Sequence, residues 1–100
     1  MRHIRNANAP RDAIAITPTD NTTNAKMGSD FADMLWVGVS GTVTIRKPGG
    51  QGLTAGSGTT LDVPSVIPGV WHYMPGFINV EATGTTATGI LVGVSFPNEG

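Results

Sequence analysis

The sequence predicts an all-β fold: a small single-domain antiparallel β-sandwich or barrel with an N-terminal arm. Short runs of alternating apolar and β-branched residues recur along the chain, and Gly- and Pro-containing turns separate them. No segment combines a 3.6-residue apolar repeat with helix caps. One hundred residues are enough for one domain, which we place at residues 12–100, with residues 1–11 as a flexible arm.

The first strand is predicted directly after the arm. Residues 12–17 read "DAIAIT", and this alternation places Ile14 and Ile16 on one face. Pro18 ends the strand because its φ is fixed and it has no N–H to donate. The following residues 21–30, "NTTNAKMGSD", are predicted to form a polar loop.

Two further strands are predicted in residues 31–47, "FADMLWVGVSGTVTIRK". Ser40–Gly41 is a pair of small residues that suits a tight hairpin turn between them. Alternation assigns each residue of these strands to a face. Leu35, Val37 and Val39 are expected to share one face of the first strand. In the next strand Val43 and Ile45 are expected to share the inner face, and the residues expected to face outward are Thr42, Thr44 and Arg46.

The middle of the chain is rich in turn residues. Residues 48–58 are dominated by Gly and predict a long loop or a hairpin tip. "TTLDVP", residues 59–64, predicts a short strand that Pro64 closes. "VWHYM", residues 70–74, lies between two Pro-Gly turns.

The last pair of strands, "FINVEAT" and "TGILVGVSF", flanks a segment made only of Thr, Ala and Gly. We predict a hairpin here, in which Gly84 and Gly89 provide conformations or clearances that a Cβ would obstruct. The Thr hydroxyls are expected to satisfy nearby backbone groups, so that Thr86→Ala does little harm. The residues predicted to be buried on strand faces are Ile45, Val80, Val92 and Val94.

The charge balance argues against nucleic acid as a partner. Lys and Arg total 6 and Asp and Glu total 7, so the net charge is −1. Only 13% of residues are charged, and a surface so poor in charge is typical of one that is covered by a partner. The basic N-terminus leads into no apolar signal region, and no apolar run is long enough to span a bilayer, so we expect no membrane association.

The sequence contains no convincing catalytic, cofactor or metal site. There is no Cys, and the two imidazoles, His3 and His72, have no carboxylate near them in sequence. Asp30 and Asp33 lack the alternating oxygen ligands of a calcium loop, so turn capping is the simpler interpretation. We therefore predict a non-enzymatic protein without a cofactor.

The candidate partner-binding residues are two aromatic and two basic side chains. Trp71 and Tyr73 share one strand face. A position in an interface is as reasonable for these two side chains as a position in the core. Arg2 and Arg5 of the arm suit an acidic patch on a partner. Trp36, in contrast, is expected in the core because large aromatics are buried on average.

Three blocks of the sequence resemble a known family. "AIAITPTDNTTN", "LWVGVSGTVTI" and "ATGTTATGI" occur in this order between Ala13 and Val94. Together they resemble the spike base family of small virion proteins, found in tailed phages and phage-derived gene transfer agents. The resemblance implies a β-rich protein without enzymatic activity on the outside of an icosahedral head, where it forms the base for a protruding spike or fibre.

On this basis we expect a head spike base or capsid decoration protein. It would be assembled in the host cytoplasm, bind the major capsid protein on the exterior of the virion, and possess a surface for a spike fibre protein. A homo-oligomer is expected, a pentamer at a five-fold vertex or a trimer at a decoration site. The alternative is a carbohydrate-binding β-module that uses Trp71 and Tyr73.

Overall fold

A computed structural model describes residues 10–27, 30–48 and 58–95, and in these ranges it contains strands and no helix. The all-β prediction is therefore confirmed. The predicted arm falls almost entirely outside the described residues. The eight strands are β1 (Asp12–Ala15), β2 (Lys26–Met27), β3 (Asp30–Trp36), β4 (Gly41–Arg46), β5 (Thr60–Val66), β6 (His72–Phe77), β7 (Asn79–Val80) and β8 (Leu91–Val94).

The strands form two antiparallel sheets. The larger sheet has five strands in the order β1-β8-β3-β2, and β6 also pairs with β3. The smaller sheet has three strands in the order β5-β4-β7. In the described part of the chain, no helix is long and apolar enough to cross a membrane.

One apolar core lies between the sheets. The larger sheet contributes side chains that include Leu35 and Val92, and the smaller sheet contributes side chains that include Val43, Ile45 and Val80. The predicted buried set is confirmed, since the buried residues include Ile45, Val80, Val92 and Val94. Alternation along each strand explains these positions, because every second side chain points to the same face.

Two predicted hairpins are wrong, because in each case the chain crosses between the sheets. β3 belongs to the larger sheet and β4 to the smaller one, so Ser40–Gly41 joins two sheets rather than two paired strands. β7 and β8 are divided between the sheets in the same way. In sequence, two strands joined by small residues look the same whether they form a hairpin or belong to different sheets. Only the strand to which each one is hydrogen-bonded distinguishes the two arrangements.

Several residues differ from what the sequence predicts. Thr44 lies on the face opposite to Val43 and Ile45, as predicted, but it is buried there, and its hydroxyl donates to Asp62 at 2.7 Å. Val39, expected to share a face with Leu35 and Val37, is exposed, whereas those two residues are buried. The predicted polar loop contains the short strand β2 and the fully buried Ala25. Thr42 and Arg46 are half-buried.

Pro64 does not end its strand. β5 continues to Val66, and its register against β4 shifts between Gly41 and Val43. Ser65 adopts a positive φ of 55° in the extra length, which is the geometry of a β-bulge. Pro64 is tolerated because β5 lies at the edge of the smaller sheet, where a missing N–H interrupts no ladder.

The Thr-rich segment between β7 and β8 lies along β4 and bonds to it through side-chain hydroxyls, where a regular strand would use backbone groups. β7 is only two residues long, and beyond it Thr85 Oγ1 accepts from the Thr44 N–H at 3.0 Å. Thr86 Oγ1 accepts from the Thr42 N–H at 2.9 Å, and the Thr86 N–H donates to the Thr42 carbonyl at 2.8 Å. These bonds reach a distant strand rather than nearby backbone. The structure therefore does not support a neutral Thr86→Ala change.

Ile45 and Ile14 give a matched test of the core. Ile45→Ala is expected to lower the free energy of unfolding by about 2–5 kcal/mol, because Ile45 is fully buried and its loss leaves a cavity. Ile14→Ala removes the same atoms from a side chain that is 40% exposed, and should cost much less. Denaturant unfolding measures both values. Equal losses would contradict the assignment of the core.

Gly84 and Gly69 test why the Thr-rich segment needs glycine. Both have positive φ, 92° and 83°, so Ala at either position is expected to cost about 1–2 kcal/mol in backbone strain. Only at Gly84 does the new Cβ meet an atom, Thr44 Oγ1 at 2.5 Å, whereas nothing lies within 4 Å at Gly69. Gly84→Ala should therefore be less stable than Gly69→Ala by about a further 1–3 kcal/mol, measured by chemical denaturation. If the two variants unfold alike, the clash is not significant.

Candidate functional site

One end of the larger sheet lacks charge. β1 and β3 end there and β6 and β8 begin there, because Ala15 pairs with Leu91, Trp36 with Leu91, and Leu35 with His72. The segments at this end are residues 15–19, 36–40, 67–73 and 86–91, and none contains Asp, Glu, Lys or Arg. We call these four segments the charge-free end.

The opposite end of the same sheet carries the charged groups. Arg11 pairs with Asp30 at 2.6 Å, where β1 and β3 begin. The Asp33 carboxylate accepts from the N–H and the hydroxyl of Ser95, at 2.8 and 2.6 Å, just after β8 ends. The sheet is thus polarised along its strands, with ion pairing at one end and an uncharged surface at the other.

Hydrogen bonds fasten the loops of the charge-free end to each other. The Gly69 N–H donates to the Val37 carbonyl at 3.0 Å. His72 Nε2 lies 2.8 Å from the Ile67 carbonyl oxygen, and because that oxygen can only accept, Nε2 carries the proton. The Val39 N–H donates to the Thr88 carbonyl at 3.1 Å. The loops are therefore held in place before any ligand arrives.

Large apolar side chains on these loops point into solvent. Of seven exposed large hydrophobic residues among those described, four lie at the charge-free end, each between 48% and 63% exposed. They are Val39, Ile67, Val70 and Tyr73. Four exposed apolar side chains at one uncharged end of a sheet are typical of a surface that a partner covers.

An apolar groove of about 440 Å³ opens at the same end. Trp36 and Leu91 come from paired strands, Pro18 follows β1, and residues 87–90 precede β8. Trp36 is half-buried rather than a core residue, because its ring lies on the groove side of the sheet. The expectation that Trp36 belongs to the core is therefore wrong.

Two of the four predicted partner-binding residues lie at the charge-free end. Tyr73 is exposed and Trp71 is half-buried. The other two, Arg2 and Arg5, lie outside the described residues. Sequence reasoning missed Val39, Ile67 and Val70, although Ile67 and Val70 lie in residues 63–80, the longest stretch without a formal charge in the chain's second half. That absence of charge was the signal available.

A second polar feature lies on the smaller sheet, around Arg46 and Glu81. Glu81 is buried, and Arg46 holds it with two bonds, Nη2 to Oε1 at 3.1 Å and Nε to Oε2 at 3.2 Å. The Asn79 side-chain amide also donates to Glu81 Oε2, and the Asn21 N–H donates to Oε1 at 3.4 Å. A depression of about 390 Å³ opens beside the pair.

This network joins the loop before β2 to β7. The Asn79 side-chain oxygen accepts from the Thr22 hydroxyl at 2.5 Å and from the Asn24 N–H at 3.2 Å. The Asn24 side chain in turn bonds both the N–H and the carbonyl of Val80. In the described residues no buried side-chain polar atom lacks a hydrogen-bond partner. Such a fully satisfied network organises the fold.

Two carboxyl groups near this network titrate below their ordinary range. Burial alone raises the pKa of Glu81, but hydrogen bonds from Arg46, Asn79 and Asn21 and the charge of Arg46 outweigh it, so the net pKa is lowered. The N–H and hydroxyl of Thr83 lower the pKa of Asp20. Glu81 in turn raises the pKa of Arg46.

The chemistry available to the described residues is limited. His72 is engaged with a backbone carbonyl. Within residues 10–27, 30–48 and 58–95, no group of three or more His, Cys, Asp or Glu lies together in a way that would hold a metal ion. The charge-free end presents apolar side chains, aromatic side chains and backbone polar groups. Binding surfaces are made of such groups.

The chain matches no protein-family model, no curated protein and no solved structure. Its function is therefore inferred from its own residues.

Glu81 predicts how stability depends on pH. A carboxyl whose pKa is lower in the folded state stabilises the fold above its unfolded pKa, ordinarily 4.5 here, and this contribution is lost as the pH falls through the folded pKa. The native protein should therefore lose stability below about pH 4.5 more steeply than Glu81→Gln. Denaturant unfolding between neutral and acidic pH measures the slopes. Parallel curves would show that Glu81 does not contribute.

Proposed function

We propose that this chain is a non-enzymatic structural protein on the exterior of a phage-like capsid, a head spike base or decoration protein that binds the major capsid protein. The observation that carries the proposal is the charge-free end, where four exposed apolar side chains stand on loops fastened by hydrogen bonds. Rigid apolar surface binds at low entropic cost, because the loops are already ordered.

The residues that resemble spike base proteins meet at this end. The block "AIAITPTDNTTN" contributes residues 15–18 to the groove, "LWVGVSGTVTI" contributes Trp36, and "ATGTTATGI" contributes residues 87–90. Three separate parts of the sequence that carry the resemblance thus line one surface. This supports a shared role in attachment rather than three unrelated roles in folding.

The proposal includes a homo-oligomer. A pentamer suits a vertex and a trimer suits a decoration site, since closed symmetry repeats one contact several times. A spike fibre protein is the further partner that the proposal implies, and Arg2 and Arg5 remain predicted contacts with the shell.

A carbohydrate-binding module is the second candidate. The observation that favours it is that Tyr73 is more than half exposed, while Trp71 and Trp36 are half-buried at the same end. Aromatic faces stack on the C–H faces of sugars, and the absence of charge suits a neutral glycan.

Co-sedimentation with capsids tests the first proposal. The shells are those of the particle whose genome encodes the chain. Ile67→Ser combined with Val70→Ser should weaken binding by about tenfold or more, because interface side chains that matter contribute over 1 kcal/mol each. Leu61→Ser is the matched control, since Leu61 is also exposed but lies on β5 of the smaller sheet.

Three outcomes would count against the capsid proposal. The first is unchanged binding by the double variant, and the second is an equal loss in the Leu61→Ser control. The third is that the native chain binds glycans on an array, that Tyr73→Ala abolishes this binding, and that the native chain does not sediment with shells. That result would favour the carbohydrate-binding module.

A further inference from the structure

β1 is an edge strand of the larger sheet, and the side of it that faces away from β8 is open. Among the described strands it pairs with β8 alone, and all four of its residues are exposed. Two further bonds extend this ladder at its ends. The Arg11 N–H donates to the Val94 carbonyl at 2.9 Å, and the Ile16 N–H donates to the Ile90 carbonyl at 3.1 Å. Regular pairing with β8 therefore covers residues 11–16.

Every second residue of β1 directs its backbone groups to the open side. Ile16 bonds to β8, and in an antiparallel pair the bonded residues alternate with residues whose N–H and carbonyl point the other way. Ala13 and Ala15 are therefore the residues of β1 whose backbone groups face outward. The Ala13 N–H has a local acceptor there, Asp12 Oδ1 at 2.9 Å. A strand placed alongside β1 would supply regular partners to both alanines.

The other short or outer strands of the described residues carry features that hinder a further strand from pairing. β5 contains Pro64 and the bulge at Ser65, β6 contains Pro75, and β2 and β7 are two residues long. Natural sheets use proline, bulges and short strands in this way to block their edges. β1 contains no Pro, Lys or Arg and no residue with positive φ. Its edge is therefore the least obstructed of the described edges.

Ile14 makes this edge apolar on the core side. It pairs with Val92, which is fully buried in the core, so both side chains lie on the same face of the sheet. Ile14 is nevertheless 40% exposed, because β1 is the last strand on its side. A further strand would extend the core past β1 and remove this apolar surface from water, which is favourable.

We propose that β1 pairs antiparallel with β1 of a second copy of this chain, about a two-fold axis at Ile14. In this register Ala13 of each copy lies opposite Ala15 of the other, and their outward groups form about four backbone hydrogen bonds. The two Ile14 side chains then meet on the core face. Asp12 lies opposite Ile16 of the second copy, so no like charges face each other across the pair.

A second copy suits this edge because the contact is self-complementary. Both copies present the same open edge, so each outward donor meets an acceptor and each Ile14 covers the other. The Ala13 N–H exchanges the Asp12 carboxylate for a carbonyl of the second copy and remains bonded, while the carboxylate returns to water. The inference concerns the chain free in solution and does not depend on the capsid proposal.

A cysteine at the proposed axis tests the pairing in the full chain. The chain has no Cys, so a single thiol can be introduced without a competitor. At the axis the two Cα atoms would be about 4.5 Å apart, which a disulfide can span, so Ile14→Cys should oxidise rapidly to a cross-linked dimer.

Leu61→Cys is the matched control for this cross-link. Leu61 is 38% exposed and pairs with the fully buried Ile45, so it occupies on the edge strand β5 the place that Ile14 occupies on β1. We expect Ile14→Cys to form dimers about tenfold faster or more, because only its thiols are held together before oxidation. Equal rates for the two variants would overturn the proposal.

Proline at an outward position provides an independent measurement. Ala15→Pro removes an outward N–H and leaves the bonds to β8 in place, which edge strands tolerate. It should melt close to the native chain and raise the dissociation constant of the dimer about tenfold or more, measured by analytical ultracentrifugation. A native chain that remains monomeric at high concentration would overturn the proposal.

Thr60→Pro is the control for the proline variant. The Thr59 carbonyl accepts from the Lys47 N–H in the ladder with β4, so Thr60, the next residue, faces the open side of β5. This variant should dimerise like the native chain, and an equal loss in both proline variants would contradict pairing through β1. If Ala15→Pro does not melt cooperatively, the comparison of the two cysteine variants decides.

Discussion

The architecture depends on how the segment between β7 and β8 closes one edge of β4. After two residues of regular pairing, the Glu81 N–H donates to the Thr44 carbonyl at 2.8 Å, and the hydroxyls of Thr85 and Thr86 then accept from the N–H groups of Thr44 and Thr42. An unpaired buried N–H costs about 1–3 kcal/mol, so an edge left open here would be expensive. Thr supplies the acceptor without a charge, and Gly84 leaves room for Thr44 Oγ1.

The same segment joins the two sheets and shapes the charge-free end. Beyond Ala87 the chain leaves β4, and the carbonyls of Thr88 and Gly89 accept from the Gly38 N–H, both at 3.0 Å. Residues 87–90 then form one wall of the apolar groove before β8 begins. A surface proposed for attachment is thus held by the bonds that close the core, which explains how so small a chain keeps an apolar surface rigid.

The charged residues are kept apart from the proposed binding surface. Arg46 and Glu81 pair beside the smaller sheet within a network that also holds Asn79 and Asn21. Burying such a pair costs desolvation energy, so its net contribution to stability is modest, while removing one member leaves a buried charge. Arg11 and Asp30 pair at the far end of the larger sheet. The charge-free end is left with the apolar and aromatic groups that an interface core requires.

Local pattern predicted most of the strands, but it missed β2 and did not show which strands pair. Period-two alternation correctly predicted that Ile45, Val80, Val92 and Val94 are buried, because burial on one face is a property of each strand alone. It gave the face of Thr44 but not its burial, since an apolar alternation cannot reveal that Asp62 and Thr85 contact this residue. It failed at Pro64, whose tolerance depends on β5 being an edge strand.

The sequence by itself determined the all-β class, the buried positions Ile45, Val80, Val92 and Val94, and the choice of Trp71 and Tyr73 as candidate contact residues. Tertiary structure alone decided which strands pair, because a turn of small residues suits a hairpin and a crossing between sheets equally well. It also decided the candidate site. Val39, Ile67 and Val70 are ordinary apolar residues in the sequence, and they become a shared surface only because antiparallel pairing brings the ends of β1, β3, β6 and β8 together.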